Sequence, residues 1–322
     1  MRTSPFLLAI ASFLSACDDS PVVGDDTDRA DTDTDADTDS DSDTDTEPVD
    51  TDAQHVDATC KAWNLARRDL REAAWTGDVD TCDAGDVDAA GRTRALGLVN
   101  LYRTMAGLPT VTDDAAKNDT AQDCALMMHA NNTLSHTPPS SWACYSDSGA
   151  TGAGRSNIAT GPGVMAVDMY MQDWGNDSTI GHRRWILSNS LGPIGLGSTS
   201  EFSCMYVIYG SGAAAKPWTA WPPPGPFPIQ GVEMSFVPLD ETGWTVQSDS
   251  IDLSAATVTI TRDDGKDMPV TLSVLLSGYG STWAIRFLPR SWTSEVGRTY
   301  TVSVGNIAQP FSYDVEIVDC GT

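Results

Sequence analysis

The sequence predicts an α+β domain followed by an all-β domain of the sandwich type. Helical periodicity dominates the part of the chain after residue 57, and short alternating hydrophobic runs dominate the last third. A proline-rich segment over residues 216–228 separates the two patterns. The stretch after Asp57 has too many residues for one small hydrophobic core, and its length is typical of two domains. We therefore expect two folded parts joined by a short connector.

Hydrophobic residues at helical spacing predict three helices in the first part, over about residues 95–105, 113–132 and 164–174. Strand character follows in residues 184–187 and 202–209, and glycine-rich segments bound the second of these runs. Helices followed by strands within one domain favour α+β architecture.

The last part of the chain alternates between apolar and polar residues in short runs that turn signals such as Asp264-Gly265 separate. The predicted strands cover residues 245–246, 257–261, 270–276, 283–287, 299–304 and 311–318. This spacing predicts a β-sandwich of immunoglobulin-like type over residues 229–322. Prolines exclude residues 216–228 from helices and central strands, so we expect a stiff connector there.

The N-terminus has the pattern of an export signal. Residues 1–16 join a basic start to a short apolar run, and the segment Leu14-Ser15-Ala16-Cys17 resembles the lipobox of bacterial lipoproteins. The resemblance implies lipidation of Cys17, which would anchor the protein to the membrane of the cell envelope. We expect outer-membrane or surface display, although Asp18 and Asp19 leave inner-membrane retention open. An ordinary signal peptide with a coincidental cysteine is the alternative.

Residues 17–57 are mostly Asp, Thr and Ser and carry most of the net charge of −26. Self-repulsion and the lack of apolar residues predict a disordered tether. Calcium capture is a weaker interpretation because the stretch lacks the glycine and closing glutamate of a calcium loop. Such acidity argues against nucleic-acid binding, which needs a basic surface.

Six cysteines remain after Cys17, and their even number in an exported chain predicts three disulfides among fifteen possible pairings. Proximity in sequence favours Cys60–Cys82 and Cys124–Cys144, which leaves Cys204–Cys320. The first pair would close a helical lead-in over residues 58–91. Cysteine-ligated zinc is a poor alternative because no two of the six have metal-ligand spacing.

Two of the four histidines stand in distinctive segments. His136 follows Leu134-Ser135, and His182 lies in Gly181-His182-Arg183-Arg184-Trp185. Imidazole is the side chain best suited to bind a transition metal or move a proton near neutral pH. Both histidines are therefore candidate site residues, whereas His129 is interpreted as a helix-face residue.

Several motifs occur in a fixed order within residues 92–215. They are Leu98-Val99-Asn100-Leu101-Tyr102-Arg103, the helix with Ala121 to Met128, Leu134-Ser135-His136, Ser156-Asn157-Ile158-Ala159, Asp173-Trp174 and Gly181-His182-Arg183-Arg184-Trp185. In order and spacing they resemble the CAP superfamily of cysteine-rich secretory, antigen 5 and pathogenesis-related-1 proteins, also called SCP. The resemblance implies an α-β-α sandwich with an antiparallel sheet between helical layers.

The resemblance also implies a cleft where two histidines and two acidic residues meet, sometimes around zinc or another divalent metal. His136 and His182 fill the histidine positions, and Asp173 matches the second acidic position. Ser156, followed by Asn157, stands where the family has its first glutamate. Asp173 is also a candidate salt-bridge partner of the neighbouring arginines.

Function is expected to follow from this cleft. The leading hypothesis is a lipid-anchored binding module for a small hydrophobic ligand or an envelope or protein partner, with a divalent metal as a candidate cofactor. A zinc-dependent hydrolase of peptides or envelope polymers is the alternative, and a structural envelope component is a third reading. Hydrolysis needs a placed base, and Ser156 removes the usual one. Asp168 or Asp177 would have to replace it.

Overall fold

The computed structural model describes residues 51–321. The predicted signal peptide, Cys17 and the tether as far as residue 50 lie outside these residues. Helix α1 spans Thr51–Arg67 and so begins inside the predicted tether, which makes the predicted boundary at residue 57 too late. Once a helix is nucleated, each added residue costs little, so α1 extends toward the N-terminus into the polar stretch. No helix within residues 51–321 is both long and apolar enough to cross a bilayer.

Eight elements after α1 form the first folded part. They are α2 (Ala89–Met105), α3 (Ala115–Asn131), α4 (Asp147–Ala153), β1 (Ser156–Thr160), α5 (Gly163–Gln172), α6 (Gly181–Ile186), β2 (Gly195–Ser198) and β3 (Phe202–Tyr206). The strands form an antiparallel sheet in the order β1-β3-β2. Helices α3 and α4 pack together on one side of it, and α2 and α5 pack together on the other. This is the α-β-α layering that the resemblance implies.

Local capping explains where these helices begin. Asp88 and Asp114 accept hydrogen bonds from the backbone N–H groups of Gly91 and Lys117, which caps α2 and α3. Proline precedes α5, so its N-terminal N–H groups have no side-chain cap of their own. Glu72, which is distant in sequence, supplies this cap: its carboxylate accepts hydrogen bonds from the backbone N–H groups of Val164 and Met165 at 2.8 and 2.7 Å.

One predicted strand is wrong. Residues 184–187 lie at the end of α6 rather than in a strand, and the backbone N–H of Arg184 donates to the carbonyl of Ile180. The run Trp185-Ile186-Leu187 is apolar but short, and such a run fits a buried helix as well as a strand. The other four predicted segments of the first part are confirmed as α2, α3, α5 and β3.

The second part consists of eight strands and two short helices. They are β4 (Thr219–Trp221), β5 (Gly225–Pro228), α7 (Ile229–Val232), α8 (Leu239–Thr242), β6 (Trp244–Ser248), β7 (Thr257–Arg262), β8 (Val270–Val274), β9 (Trp283–Pro289), β10 (Arg298–Gly305) and β11 (Phe311–Val318). Two four-stranded sheets, ordered β5-β11-β10-β7 and β4-β6-β9-β8, share a hydrophobic core. All six predicted strands are confirmed. The immunoglobulin-like type stays a prediction.

The proline-rich segment is part of the sandwich. Strand β4 forms the edge of one sheet, and β5 forms the edge of the other, where it pairs in parallel with β11. Residues 216–228 therefore do more than the predicted connector, because they contribute one strand to each sheet. Proline is tolerated in an edge strand because the outer side of that strand has no neighbour, so the missing N–H costs no hydrogen bond between strands there.

The disulfides join Cys60 to Cys320, Cys82 to Cys144 and Cys124 to Cys204. All three pairs predicted from proximity in sequence are wrong. Helix packing decides two of the pairings. Helix α3 lies on β3, which brings Cys124 to Cys204. Helix α1 lies beside β5, and β5 pairs with β11 near the end of the chain, which brings Cys60 to Cys320. Three disulfides are consistent with an exported protein.

The two parts meet at α6 through two consecutive buried arginines. The guanidinium of Arg183 donates to the carbonyls of Met171 and Gln172 in the first part, and to the carbonyl of Gly243 and the hydroxyl oxygen of Thr242 in the second. The Arg184 guanidinium similarly spans both parts. Burial lowers the pKa of both guanidinium groups to about 10. Both stay charged at neutral pH, so their carbonyl partners are needed to offset the lost hydration.

Replacing Arg183 with Met should lower the free energy of unfolding by about 3 kcal/mol, because several buried carbonyls lose their donor together. Urea denaturation followed by tryptophan fluorescence measures the change. The matched control is Arg68→Met, an exposed arginine next to the end of α1. Equal stability of the two variants would contradict the role given to Arg183.

Candidate functional site

The two predicted histidines line one cleft of about 460 Å³. His136 lies in the loop after α3, and His182 is the second residue of α6. Ser156 and Asn157, the first residues of β1, line the same cleft. The structure thus brings together four of the five predicted cleft residues, from three elements distant in sequence.

The fifth residue, Asp173, lies behind His182. Its side chain is fully buried, and its Oδ1 atom is 2.8 Å from Nδ1 of His182. The same oxygen accepts from Nδ2 of Asn176 at 2.7 Å, and Oδ2 accepts from the backbone N–H of Arg183 at 3.2 Å. Asp173 therefore fixes the orientation of the His182 ring and the start of α6. The predicted salt bridge to a neighbouring arginine is wrong: within residues 51–321 the ion-pair partner of Asp173 is His182, and Arg183 contacts the carboxylate through its backbone N–H.

Both imidazoles are held through the same ring nitrogen. His136 Nδ1 lies 2.8 Å from the carbonyl oxygen of Ala153. A carbonyl oxygen only accepts, and the Asp173 carboxylate also accepts, so the neutral form of each ring carries its proton on Nδ1. The lone pair of each ring is then on Nε2. Metal-binding histidines are oriented in this way, by a carbonyl or carboxylate on the other nitrogen.

The polar residues of β1 have unequal hydrogen bonding. Asn157 Nδ2 donates to the carbonyl of His182 at 3.1 Å, and the Asn157 carbonyl accepts from the hydroxyl of Tyr170. The Ser156 hydroxyl is fully buried and has no hydrogen-bond partner among the residues that the structure describes. A buried hydroxyl without a partner is costly, so Ser156 is suited to a partner supplied by the cleft contents.

These residues fit an open metal site better than a closed one. Within residues 51–321, no three His, Cys, Asp or Glu side chains are close enough together to hold a metal ion. Catalytic zinc is usually held by three protein ligands, whereas here two imidazole nitrogens are available and Ser156 stands in the carboxylate position. Water or a bound ligand would have to supply the remaining ligands of a divalent ion.

Neither of the acidic residues considered as replacement bases is free. Asp168 is bonded to Arg67, with 2.6 Å between Oδ2 and Nη2, and Asp177 pairs with Arg286 at 3.1 Å. His129 packs against Trp75 and Phe202, away from the cleft. A proton acceptor in the cleft would therefore have to be an imidazole.

Several lining residues could not be found from the motifs. Asn176 Nδ2 donates to Oδ1 of Asp173 and lies 3.2 Å from Nδ1 of His182, and Tyr209 follows β3 with its ring 4.4 Å from the Arg155 guanidinium. Gly278 and Tyr279 come from the sandwich, from the loop between β8 and β9. Nothing in the local sequence of a glycine- and serine-rich loop indicates that it will reach a cleft of the other part.

Residues 96–209 match the model of the cysteine-rich secretory protein family, CAP. The match runs from within α2 to just beyond β3, so it includes the sheet and both cleft histidines, and it confirms the resemblance. No curated protein and no solved structure gave a match to the chain.

The neutral forms of His136 and His182 should both carry their proton on Nδ1, in contrast to free histidine, which prefers Nε2. Long-range ¹H–¹⁵N NMR spectra distinguish the two tautomers. Asp173→Ala should move the His182 proton to Nε2 and leave His136 unchanged, because the Ala153 carbonyl is untouched. If His182 keeps its tautomer in this variant, Asp173 does not orient the ring.

Proposed function

We propose that this chain, whose residues 96–209 form a CAP domain, is an exported binding module that takes its ligand between His136 and His182. One observation carries the proposal: both Nδ1 atoms are engaged within the protein, which leaves both Nε2 atoms for a ligand. The buried Ser156 hydroxyl in the same cleft supports it, because this hydroxyl is without a partner in the described part of the chain.

A divalent metal is the first candidate for that ligand. Imidazole nitrogen suits zinc, copper and nickel, whereas carboxylates suit calcium and magnesium. His136 and His182 would hold the ion, and Asp173 and the Ala153 carbonyl would keep their rings in place. An ion held by two protein ligands keeps open positions, so it would present a binding point to a further molecule. A small hydrophobic molecule or an envelope protein is the partner class expected from the resemblance.

Display at the cell envelope belongs to the same proposal. Lipidation of Cys17 and an acidic tether would hold the module away from the membrane surface. The three disulfides support export. Outer-membrane or surface location is proposed from the lipobox-like sequence together with the long tether, which favours outward display.

A zinc-dependent hydrolase is the weaker alternative. His182 and Asp173 form an imidazole–carboxylate pair, and Ser156 shares the cleft, which are residue types found in hydrolases. The Ser156 hydroxyl, however, makes no hydrogen bond to either residue in the described structure. The family glutamate that would serve as the base is the residue that Ser156 replaces.

Zinc titration by calorimetry tests the metal part of the proposal. The full chain is titrated in excess calcium, which occupies the acidic tether without competing for imidazole. We expect one zinc site that is lost in the double variant His136→Ala/His182→Ala. The control is His55→Ala, which changes an exposed histidine of α1 outside the cleft.

Equal zinc uptake by the wild type and the double variant would overturn the metal part. Circular dichroism of both variants shows whether they remain folded. Incubation of the zinc-loaded protein with peptides and peptidoglycan addresses the hydrolase alternative, and turnover abolished by His136→Ala would support it.

A further inference from the structure

The sandwich supplies one wall of the cleft. Gly278 and Tyr279, in the loop between β8 and β9, line it opposite residues of the CAP domain. The Tyr279 side chain is partly exposed, with 38 % of its residue surface accessible. The family match ends at residue 209, so this wall lies outside the part of the chain that resembles other CAP domains.

Hydrogen bonds fix this wall in position. The Arg184 guanidinium donates to the carbonyl of Leu276 at 2.7 Å and to the carbonyl of Ser281 at 3.0 Å. The backbone N–H of Leu276 donates to the carbonyl of Ser178 at 2.9 Å. Both ends of the loop are therefore tied to the CAP domain, on either side of Tyr279.

Close packing places Tyr279 beside His182. A Cβ atom on Gly181 would lie 2.8 Å from Cδ1 of Tyr279, so the ring packs against the residue preceding His182. Gly280 has φ of +73°, and a Cβ there would meet the Arg184 carbonyl oxygen at 2.4 Å. Glycine is needed at both positions because only a bare backbone allows this approach.

The lining of the cleft is aromatic and hydrogen-bonding but lacks fixed charges. Aromatic rings come from Trp185, Tyr209 and Tyr279, and amides come from Asn157 and Asn176. Within the described part of the chain, the lining includes no carboxylate, lysine or arginine, and Ile208 is its one aliphatic residue with a branched side chain. An anionic ligand would need guanidinium or ammonium partners, and a sterol-like ligand would need mainly apolar walls.

We propose that the cleft binds a neutral oligosaccharide and that Tyr279 of the sandwich is its stacking platform. A pyranose ring has an apolar face of C–H groups that packs on an aromatic ring, and its hydroxyls both donate and accept. The amides of Asn157 and Asn176 and the unpartnered hydroxyl of Ser156 match those hydroxyls. This inference rests on the proposed function, because it names the ligand class of the same cleft.

The test measures binding of chitohexaose and maltohexaose to the full chain by calorimetry. We expect saturable binding of at least one of them. Tyr279→Ala should weaken it about tenfold, whereas Tyr279→Phe, which keeps the ring, should stay within about twofold. Val274→Ala is the matched control, since it changes an exposed residue of β8 outside the cleft. A heparin oligosaccharide and a tyrosine-containing tripeptide serve as charged and peptide probes.

The outcomes separate this inference from the proposed function. Glycan binding that is lost in His136→Ala/His182→Ala but unchanged in Tyr279→Ala would overturn the role of Tyr279 alone. Binding of only the tripeptide or heparin, lost in the histidine double variant, would overturn the glycan class and keep the cleft as a binding site. Glycan binding unaffected by every variant would place the glycan site elsewhere and overturn this inference, whereas the zinc titration still decides the metal part of the proposed function. Failure of both hexaoses to bind, with zinc uptake intact, would overturn the glycan class.

Discussion

The burial of two consecutive guanidinium groups constrains how the two folded parts of this molecule meet. Arg183 and Arg184 are both inaccessible to solvent, and removing a cation from water is costly unless its donors find partners. Their partners are mostly backbone carbonyls, which are fixed in space by the strands and helices that carry them. Neither the CAP domain nor the sandwich supplies enough acceptors alone. The two parts therefore have to meet at α6 in one arrangement.

That arrangement reaches the cleft through a single short helix. Asp173 ends α5 in a left-handed conformation, and its carboxylate contacts both the His182 ring and the N–H of Arg183. The residue that points into the cleft and the residues that hold the sandwich are thus adjacent in sequence. A shift of α6 that repositioned His182 would also break the hydrogen bonds of the arginines, so the geometry of the site and the contact between domains depend on each other.

Periodicity was sufficient to predict α2, α3, α5, β3 and the strands β6 to β11, because most of them bury one regular face. Shorter elements such as α4, β1 and β2 are too short to show a period, and they were not predicted. It failed at residues 184–187, where the apolar run is too short to distinguish a strand from a buried helix. The disulfide pairs could not be read from spacing, since Cys60 and Cys320 become neighbours only after both domains fold. Family motifs located His136, His182 and Asp173. The position of Asp173 behind His182 and the packing of Tyr279 against Gly181 depend on tertiary structure that no local pattern encodes.

The Cys60–Cys320 bond has a mechanical consequence. It joins α1 to the second residue after β11, with 4.9 Å between the two Cα atoms, and so closes the chain from residue 60 to residue 320 into a covalent ring. Tension applied on the N-terminal side of Cys60 enters this ring at one point. If no other part of the protein is held in place, this tension moves the whole ring and stretches neither domain. The folded domains are under tension only when a ligand or partner also holds the cleft or another surface. The force is then divided at residue 60 between two covalent paths, the backbone that follows it and the disulfide to Cys320.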